Sequence, residues 1–337
     1  MKRLKKKSTV TGIVVLAALL AAPALISSNY VISMAVYCFL YAALGVSWNI
    51  VGGYGGQTSW CHATFVSIGA YTAMILLRNF NISPILSIPI SMVFSFFVAL
   101  VIGGATLRWR GTFFTISTIA LLEISRIVLM VSDKVTGGTS GLYTPYTGQS
   151  FYKLHFDNDV PFYYLSLLAL LIVLFVVSKF VKSKTGYYLS AVNGDEDAAI
   201  SLGIDSFRVK LKSFELSAMM TSFVGVLLGM FLAFIDPMTI CSMDMTVKIA
   251  SVAIIGGLGT QWGPVLGAFI IIPATELSSV LLGQSGSSVL LYGLLLIIIV
   301  LFKPKGVISI FTEDIPEWRC RRQKRAQAGA AERGQGT

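Results

Sequence analysis

The stretch ISPILSIPISMVFSFFVALVIGGATL, Ile82 to Leu107, runs for 26 residues without a charged side chain. A bilayer's hydrocarbon core is about 30 Å thick and offers the backbone no water, so about 20 apolar residues in a helix are needed to cross it. This run meets that requirement and reads as a membrane-spanning helix. Working outward, Val10 to Ile26, Tyr30 to Val51, Thr112 to Val131, Val160 to Ser178, Ser213 to Ile235 and Gly263 to Leu282 read the same way. Cys61 to Leu77, Ser287 to Phe302 and the 14-residue Met245 to Leu258 are shorter, and the last suits a half-helix or a re-entrant segment as well as a span. The expected fold is an all-α polytopic membrane protein with about ten transmembrane helices, eight if the shortest do not cross.

Composition agrees with this reading. Of 337 residues, 55% are hydrophobic and 12% charged, against roughly 45–50% and about 25% in soluble domains. The net charge of +10 would suggest nucleic-acid binding in a soluble protein, but its placement says otherwise. Lysines and arginines in short loops stay on the cytoplasmic side. With the N-terminus inside, the start of the chain, the Arg108–Arg110 turn, Lys179 to Lys212 and the tail from Lys303 hold 21 of the 26. Both termini are therefore expected in the cytoplasm, no nucleic-acid partner is expected, and the basic termini can meet anionic membrane lipid. The chain divides into a basic N-terminus (1–9), a transmembrane domain (10–302) and a basic tail (303–337) expected to lack order. The transmembrane domain carries an outside loop (132–159) and an inside loop (179–212). The first apolar segment, ending near Ala21-Ala22-Pro23-Ala24, reads as an uncleaved signal anchor.

The chemistry of catalysis is missing. No G-x-x-x-x-G-K-[ST], H-E-x-x-H or G-x-S-x-G motif occurs, and His62 and His155 are far apart in sequence. Cys38, Cys61, Cys241 and Cys320 show no metal-ligand spacing. The chain is expected not to be an enzyme and to hold neither metal nor cofactor.

Polar residues inside apolar sequence are the informative ones. Gly52-Gly53-Tyr54-Gly55-Gly56-Gln57-Thr58-Ser59-Trp60-Cys61-His62 interrupts two apolar runs. About 200 residues later Gly256-Gly257-Leu258-Gly259-Thr260-Gln261 repeats its G-G-x-G-x-Q order, ahead of Gly263. Non-helical backbone in a membrane needs protein or a water-filled cavity around it, so paired breaks suit a translocation pathway. Two turns with helix-packing glycines fit equally well. Glu123, Arg126, Glu215, Lys248 and Glu276 place ionisable groups within apolar segments, where they are costly and face the bundle interior or a cavity. Glu123 and Arg126, three apart, suit either a structural ion pair or a path lining. Glu276 is open between the same readings, while Glu215 and Lys248 sit near predicted helix ends and can snorkel. In the inside loop, Asp195-Glu196-Asp197 followed by Ala198-Ala199-Ile200-Ser201-Leu202 and Gly203 reads as a short helix with acids in its first turn and a glycine stop. So short a helix needs a packing partner, either its own bundle or a cytoplasmic subunit.

These motifs resemble those of the permease subunits of branched-chain amino acid ABC importers. Gly53 to Ala63 is similar to the signature G-Y-A-G-Q-x-S-L-G-H-A, with Cys61 where the family usually has glycine, and Thr136-Gly137-Gly138-Thr139-Ser140-Gly141-Leu142 is similar to another. Asp195 to Ala199, Leu202-Gly203-Ile204 and Arg208-Val209-Lys210 resemble the ATPase-coupling loop. Gly256 to Ala268 resembles G-G-x-G-T-x-x-G-P-x-x-G-A. The likeness spans residues 40 to 310 and is nearest the M-type partner of two unequal permeases. It implies a multi-pass protein of the bacterial plasma (inner) membrane, working with a second paralogous permease, two ATP-binding cassette subunits that use ATP and Mg, and an extracytoplasmic solute-binding protein. It further implies coupling roles for Asp195, Glu196, Asp197, Ala198, Ala199 and Gly203. Backbone breaks are implied at Gly55, Gly56, Gly256, Gly257, Gly259 and Gly263, and path roles for Gln57, Ser59, His62, Glu123, Arg126, Thr136 and Glu276. A urea or short-chain amide importer shares this pattern, and a stand-alone carrier or channel is the rival of another class.

Overall fold

The computed structural model describes residues 19–23, 28–109, 111–144 and 150–282, with 293–294, 297 and 306–309 beyond them. The expected segments Val10 to Ile26 and Ser287 to Phe302 fall largely outside the described residues, as do the two basic termini.

The described chain is mainly helical: α1 Asn29–Asn49, α2 His62–Phe80, α3 Pro84–Thr106, α4 Thr112–Val131, α5 Val160–Val181, α6 Lys184–Gly194, α7 Glu196–Ser201, α8 Ser206–Leu232, α9 Met243–Gly256 and α10 Gly263–Leu282. Among the described residues seven helices are long and apolar enough to cross a membrane, and Gly263–Leu277 is a shorter apolar one. The run quoted at the outset is α3. Ser83 starts it as an N-cap accepting from the Ile85 amide, with Pro84 at the first helical position, where a missing N–H goes unnoticed.

Two expectations change. Met245 to Leu258 is not an isolated half-helix, because a short helix at Pro237–Ile240 precedes α9 and together they cover 20 residues. Asp236 and Ser242 cap the two pieces, and these polar caps are what broke the apolar run in the sequence. The inside loop is also more ordered than a loop with one short helix. Ser183, Asp195 and Asp205 each accept a backbone amide at the start of α6, α7 and α8. As a result α8 begins at Ser206 instead of Ser213.

α1 and α8 are the most enclosed helices and form the centre of the bundle. α8 packs along α2 and α3, while α1 is flanked by α5, α9 and α10. The α2–α8 seam is built from small residues: a Cβ on Gly225 would sit 2.5 Å from the Val66 carbonyl oxygen and one on Gly229 2.6 Å from the Ala70 Cβ. The GVLLG spacing of these two glycines is the small-xxx-small pattern that lets helix backbones approach in lipid, where apolar burial no longer drives association. At one end of the bundle a two-residue antiparallel pairing, Leu142 with Ile235 and Tyr143 with Phe234, ties the end of α8 to the segment after α4. Residues 54–62, 181–206 and 256–263 gather at the other end.

Candidate functional site

The first glycine-rich break is the wound-down end of α1. Its last turn widens into a π-helix at Ile50–Tyr54, with the Gly55 amide reaching the Ile50 carbonyl at 3.1 Å, and the chain then runs without helix to His62. The second break follows α9, where Gly257 (φ 129°) and Gly259 (φ 68°) turn the chain into α10. The two breaks meet. The Asn49 side chain accepts from the Gly259 amide at 3.0 Å and donates to the Thr260 carbonyl at 2.8 Å, so one amide satisfies a donor and an acceptor that the turn leaves open. Gly53 lies so close to Gly259 that a Cβ there would stand 2.4 Å from its amide nitrogen. From the α6 side, Asn193 donates to the Gly53 carbonyl at 3.4 Å. Gly56 has φ +64°, and a Cβ on it would lie 1.9 Å from Asn193 Oδ1. Breaks separated by about 200 residues in sequence and the inside helical arm therefore form one junction.

The residues anticipated for a path do not converge. Gln57, Ser59 and His62 lie in the first break. The fully buried Ser59 accepts through its carbonyl from Trp48 Nε1 at 2.8 Å. His62 opens α2 with its ring among Trp48, Phe65 and Phe214. Its Nε2 lies 2.8 Å from Ser217 Oγ. That hydroxyl gives its hydrogen to the Ser47 carbonyl at 2.6 Å, so the imidazole must donate through Nε2. The ring thereby links α1, α2 and α8 in packed interior. Glu123 and Arg126 pair with each other on α4. Thr136 is spent on the turn after α4, its hydroxyl 2.6 Å from the Leu129 carbonyl. Glu276 on α10 is within electrostatic reach of Tyr37 and Tyr41 on α1.

The anticipated coupling residues do form one unit. Asp195 caps α7 by accepting from the Ala198 amide at 2.9 Å. At its far end, the Gly203 amide reaches the Ile200 carbonyl at 2.9 Å and the Ile204 amide the Ala199 carbonyl at 3.1 Å. With φ +83° at Gly203, this is a Schellman closure, for which glycine has no Cβ penalty. Glu196 accepts from Lys210 Nζ at 2.6 Å and from the Ser206 hydroxyl, fastening α7 to α8. Ala199 is buried beneath, while Ala198 and Asp197 are exposed. Ile200 is 48% exposed and Leu202 83%, so α7 turns an apolar edge outward.

Residues 30–300 match the family described as branched-chain amino acid transport system / permease component. The chain belongs to that family. This permease is 27% identical, over 91% of its length and 76% of the relative's, to the high-affinity branched-chain amino acid transport system permease protein LivM of Escherichia coli K12. It is 24% identical to the permease protein BraD of Pseudomonas aeruginosa, covering 80% of this chain and 91% of that one. LivH of Escherichia coli K12 is 25% identical, over 80% and 91%. No solved structure matches the chain.

At the end of the bundle opposite the junction, the permease has a cavity of about 520 Å³ with both apolar and polar walls between α1, α8 and the Pro237–α9 unit. Asp236, Asp244 and Lys248 contribute its charged groups, and Tyr37, Tyr41, Thr239 and Ser242 its hydroxyls. The sequence alone gave Lys248 no role, because the apolar run was cut at Met245 and the lysine fell near an apparent helix end. In the folded permease it lies one turn into α9 below Asp244, on a cavity wall. The signal that could have found it is the acid and base four apart on one helix face.

Proposed function

We propose that this chain is the M-type membrane subunit of an ATP-driven importer of branched-chain or closely related amino acids. In this reading it spans the bacterial inner membrane about ten times with both termini in the cytoplasm, and pairs with a second, unequal permease to enclose the path. Two ATP-binding cassette subunits hydrolyse ATP with Mg, and a solute-binding protein delivers the amino acid on the outer side near residues 132–159. The chain itself binds neither ATP nor a metal and carries out no covalent step.

The family match over residues 30–300 carries the reading. The α7 arm supports it. A capped helix held to α8 by Glu196 and Lys210, with Ile200 and Leu202 exposed, is suited to receive a partner's groove. Its neighbour α6 touches the glycine junction through Asn193. Closure of the ATPase pair would push α7, and the push would reach the junction where α1 and α9 are unwound, biasing the bundle between two arrangements. The test is reconstitution: this chain, a second permease, two ATPase subunits and a binding protein in proteoliposomes, assayed for ATP-dependent leucine uptake. Uptake that needs all the parts supports the proposal. Uptake by this chain alone, driven by an ion gradient, overturns it in favour of a carrier.

A further inference from the structure

The cavity between α1, α8 and α9 has a combination of linings that a plain structural gap does not need. Its volume, about 520 Å³, falls within the range of roughly 300–1,000 Å³ in which small-molecule sites lie. On one wall Asp244 and Lys248 are four residues apart with the acid first, the order that ordinarily favours pairing on a helix. Among the described residues, however, neither has an ion-pair partner. Both face the cavity instead. Asp236, also on the wall, is occupied as a cap by the amides of Met238 and Thr239 at 2.8 and 2.9 Å. The opposite wall is apolar, from Leu228 and Leu232 of α8, with Met245 beside them. Tyr41 is held in place by its hydroxyl at 3.3 Å from the Met245 sulfur.

We propose that this cavity is a loading site for a zwitterionic α-amino acid with an aliphatic side chain. Lys248 takes the carboxylate and Asp244 the ammonium. These two charges of the ligand are separated by a single carbon, which matches two opposite charges spaced by one helical turn, about 6 Å along the axis. The apolar wall receives the side chain. Asp244 is exposed in the first turn of α9 and Lys248 half-buried one turn further in, so both are open to the cavity, and a ligand carrying both signs neutralises both residues at once. A neutral amide such as urea has no charge to offer either. This inference rests on the amino acid importer reading and names the chemistry of the solute on this chain.

The experiment uses the complete reconstituted importer with saturating binding protein and labelled leucine. Assembly of each variant is confirmed by co-elution, and the affinity of the binding protein for leucine is measured separately. Lys248→Gln and Asp244→Asn are each expected to lower initial uptake at least about tenfold, as loss of one charge-assisted hydrogen bond implies. The swapped pair Asp244→Lys with Lys248→Asp is expected to regain uptake to within about threefold of the wild type, because the ligand can bind in reverse. Wild-type rates in both single variants overturn the loading site and leave the importer reading standing. If a single variant does not assemble, the swapped pair decides alone: no uptake from an assembled swapped complex counts against the site. Absence of leucine uptake in the wild-type complex overturns the reading on which the site rests.

Discussion

At the scale of single residues, Asn49 matters more than its place at the end of an apolar run suggests. Its side chain joins two segments that the chain delivers from far apart, accepting from Gly259 at 3.0 Å and donating to Thr260 at 2.8 Å. With Asn49 only 1% exposed, water cannot replace either bond. Removing one member of a buried hydrogen-bonded set costs about 1–3 kcal/mol. Asn49→Ala is therefore expected to lower the unfolding temperature of the detergent-purified protein, and Asn49→Asp to do no better, since a carboxylate would face the Thr260 carbonyl. Thermal unfolding followed by circular dichroism reads both, and unchanged midpoints would remove the clasp from the account. Nothing in the sequence marked Asn49, because its partners lie about 210 residues away and only the fold brings them together. His62 was expected on the path, and its surroundings could not be read from the sequence. The same composition suits a path and a packed hydrogen-bonded junction, and its bond to Ser217 at 2.8 Å is visible only in three dimensions.

At the scale of elements, the arm made of α6 and α7 shows which signals a sequence carries and which it dilutes. The acids before Ala198 and the glycine at 203 mark α7 at both ends, because caps are local chemistry. α6 escaped notice since its sequence KTGYYLSAVNG lacks an apolar stripe, and its Ser183 cap is one serine among many. Two predictions belong here. Gly203→Ala meets no steric obstacle, as nothing lies within 4 Å of a Cβ there, yet the backbone sits at φ +83°. A left-handed non-glycine residue costs roughly 1–2 kcal/mol. The substitution is expected to fray α7, raising hydrogen exchange across 196–204 and weakening ATPase co-purification without affecting membrane insertion. The second concerns Glu196 and Lys210. The lysine side chain is 6% exposed and the glutamate 20%, so Glu196→Gln strands a largely enclosed ammonium, at a cost of up to about 3 kcal/mol. Lys210→Met combined with Glu196→Gln should recover most of that loss. A double-mutant cycle on thermal stability measures it, and strictly additive effects would show that the pair is not coupled.

At the scale of the whole molecule, the spans were legible wherever an apolar run was long and unbroken, as in α3 and α5, because burial in lipid demands it along the entire element. Packing was not. That α1 and α8 are central, while α3 and α4 turn Phe97, Val101, Phe113 and Val131 outward, cannot be read from hydropathy, since a helix in lipid is apolar on both its faces. The sequence does carry one signal of neighbours that hydropathy passes over: Gly225 and Gly229, four apart on α8, mark its seam with α2. The arrangement divides the molecule into two ends, one with the junction and the α6–α7 arm, the other with the antiparallel pairing of Leu142–Tyr143 with Phe234–Ile235 and the cavity. Among the described residues the lysines and arginines of loops concentrate at the first end, and the orientation proposed above, by the positive-inside rule, has that end in the cytoplasm. Tyr187 on α6 is 68% exposed and Tyr143 at the opposite end 60%, so single cysteines at these positions report the two sides. In intact cells a membrane-impermeant maleimide is expected to label Tyr143→Cys at once and Tyr187→Cys only after the membrane is opened. The three described native cysteines are all buried, and the unsubstituted protein sets the background. The reverse pattern would place the coupling arm outside, out of reach of any cytoplasmic ATPase, and the transport mechanism proposed for the chain would fail with it.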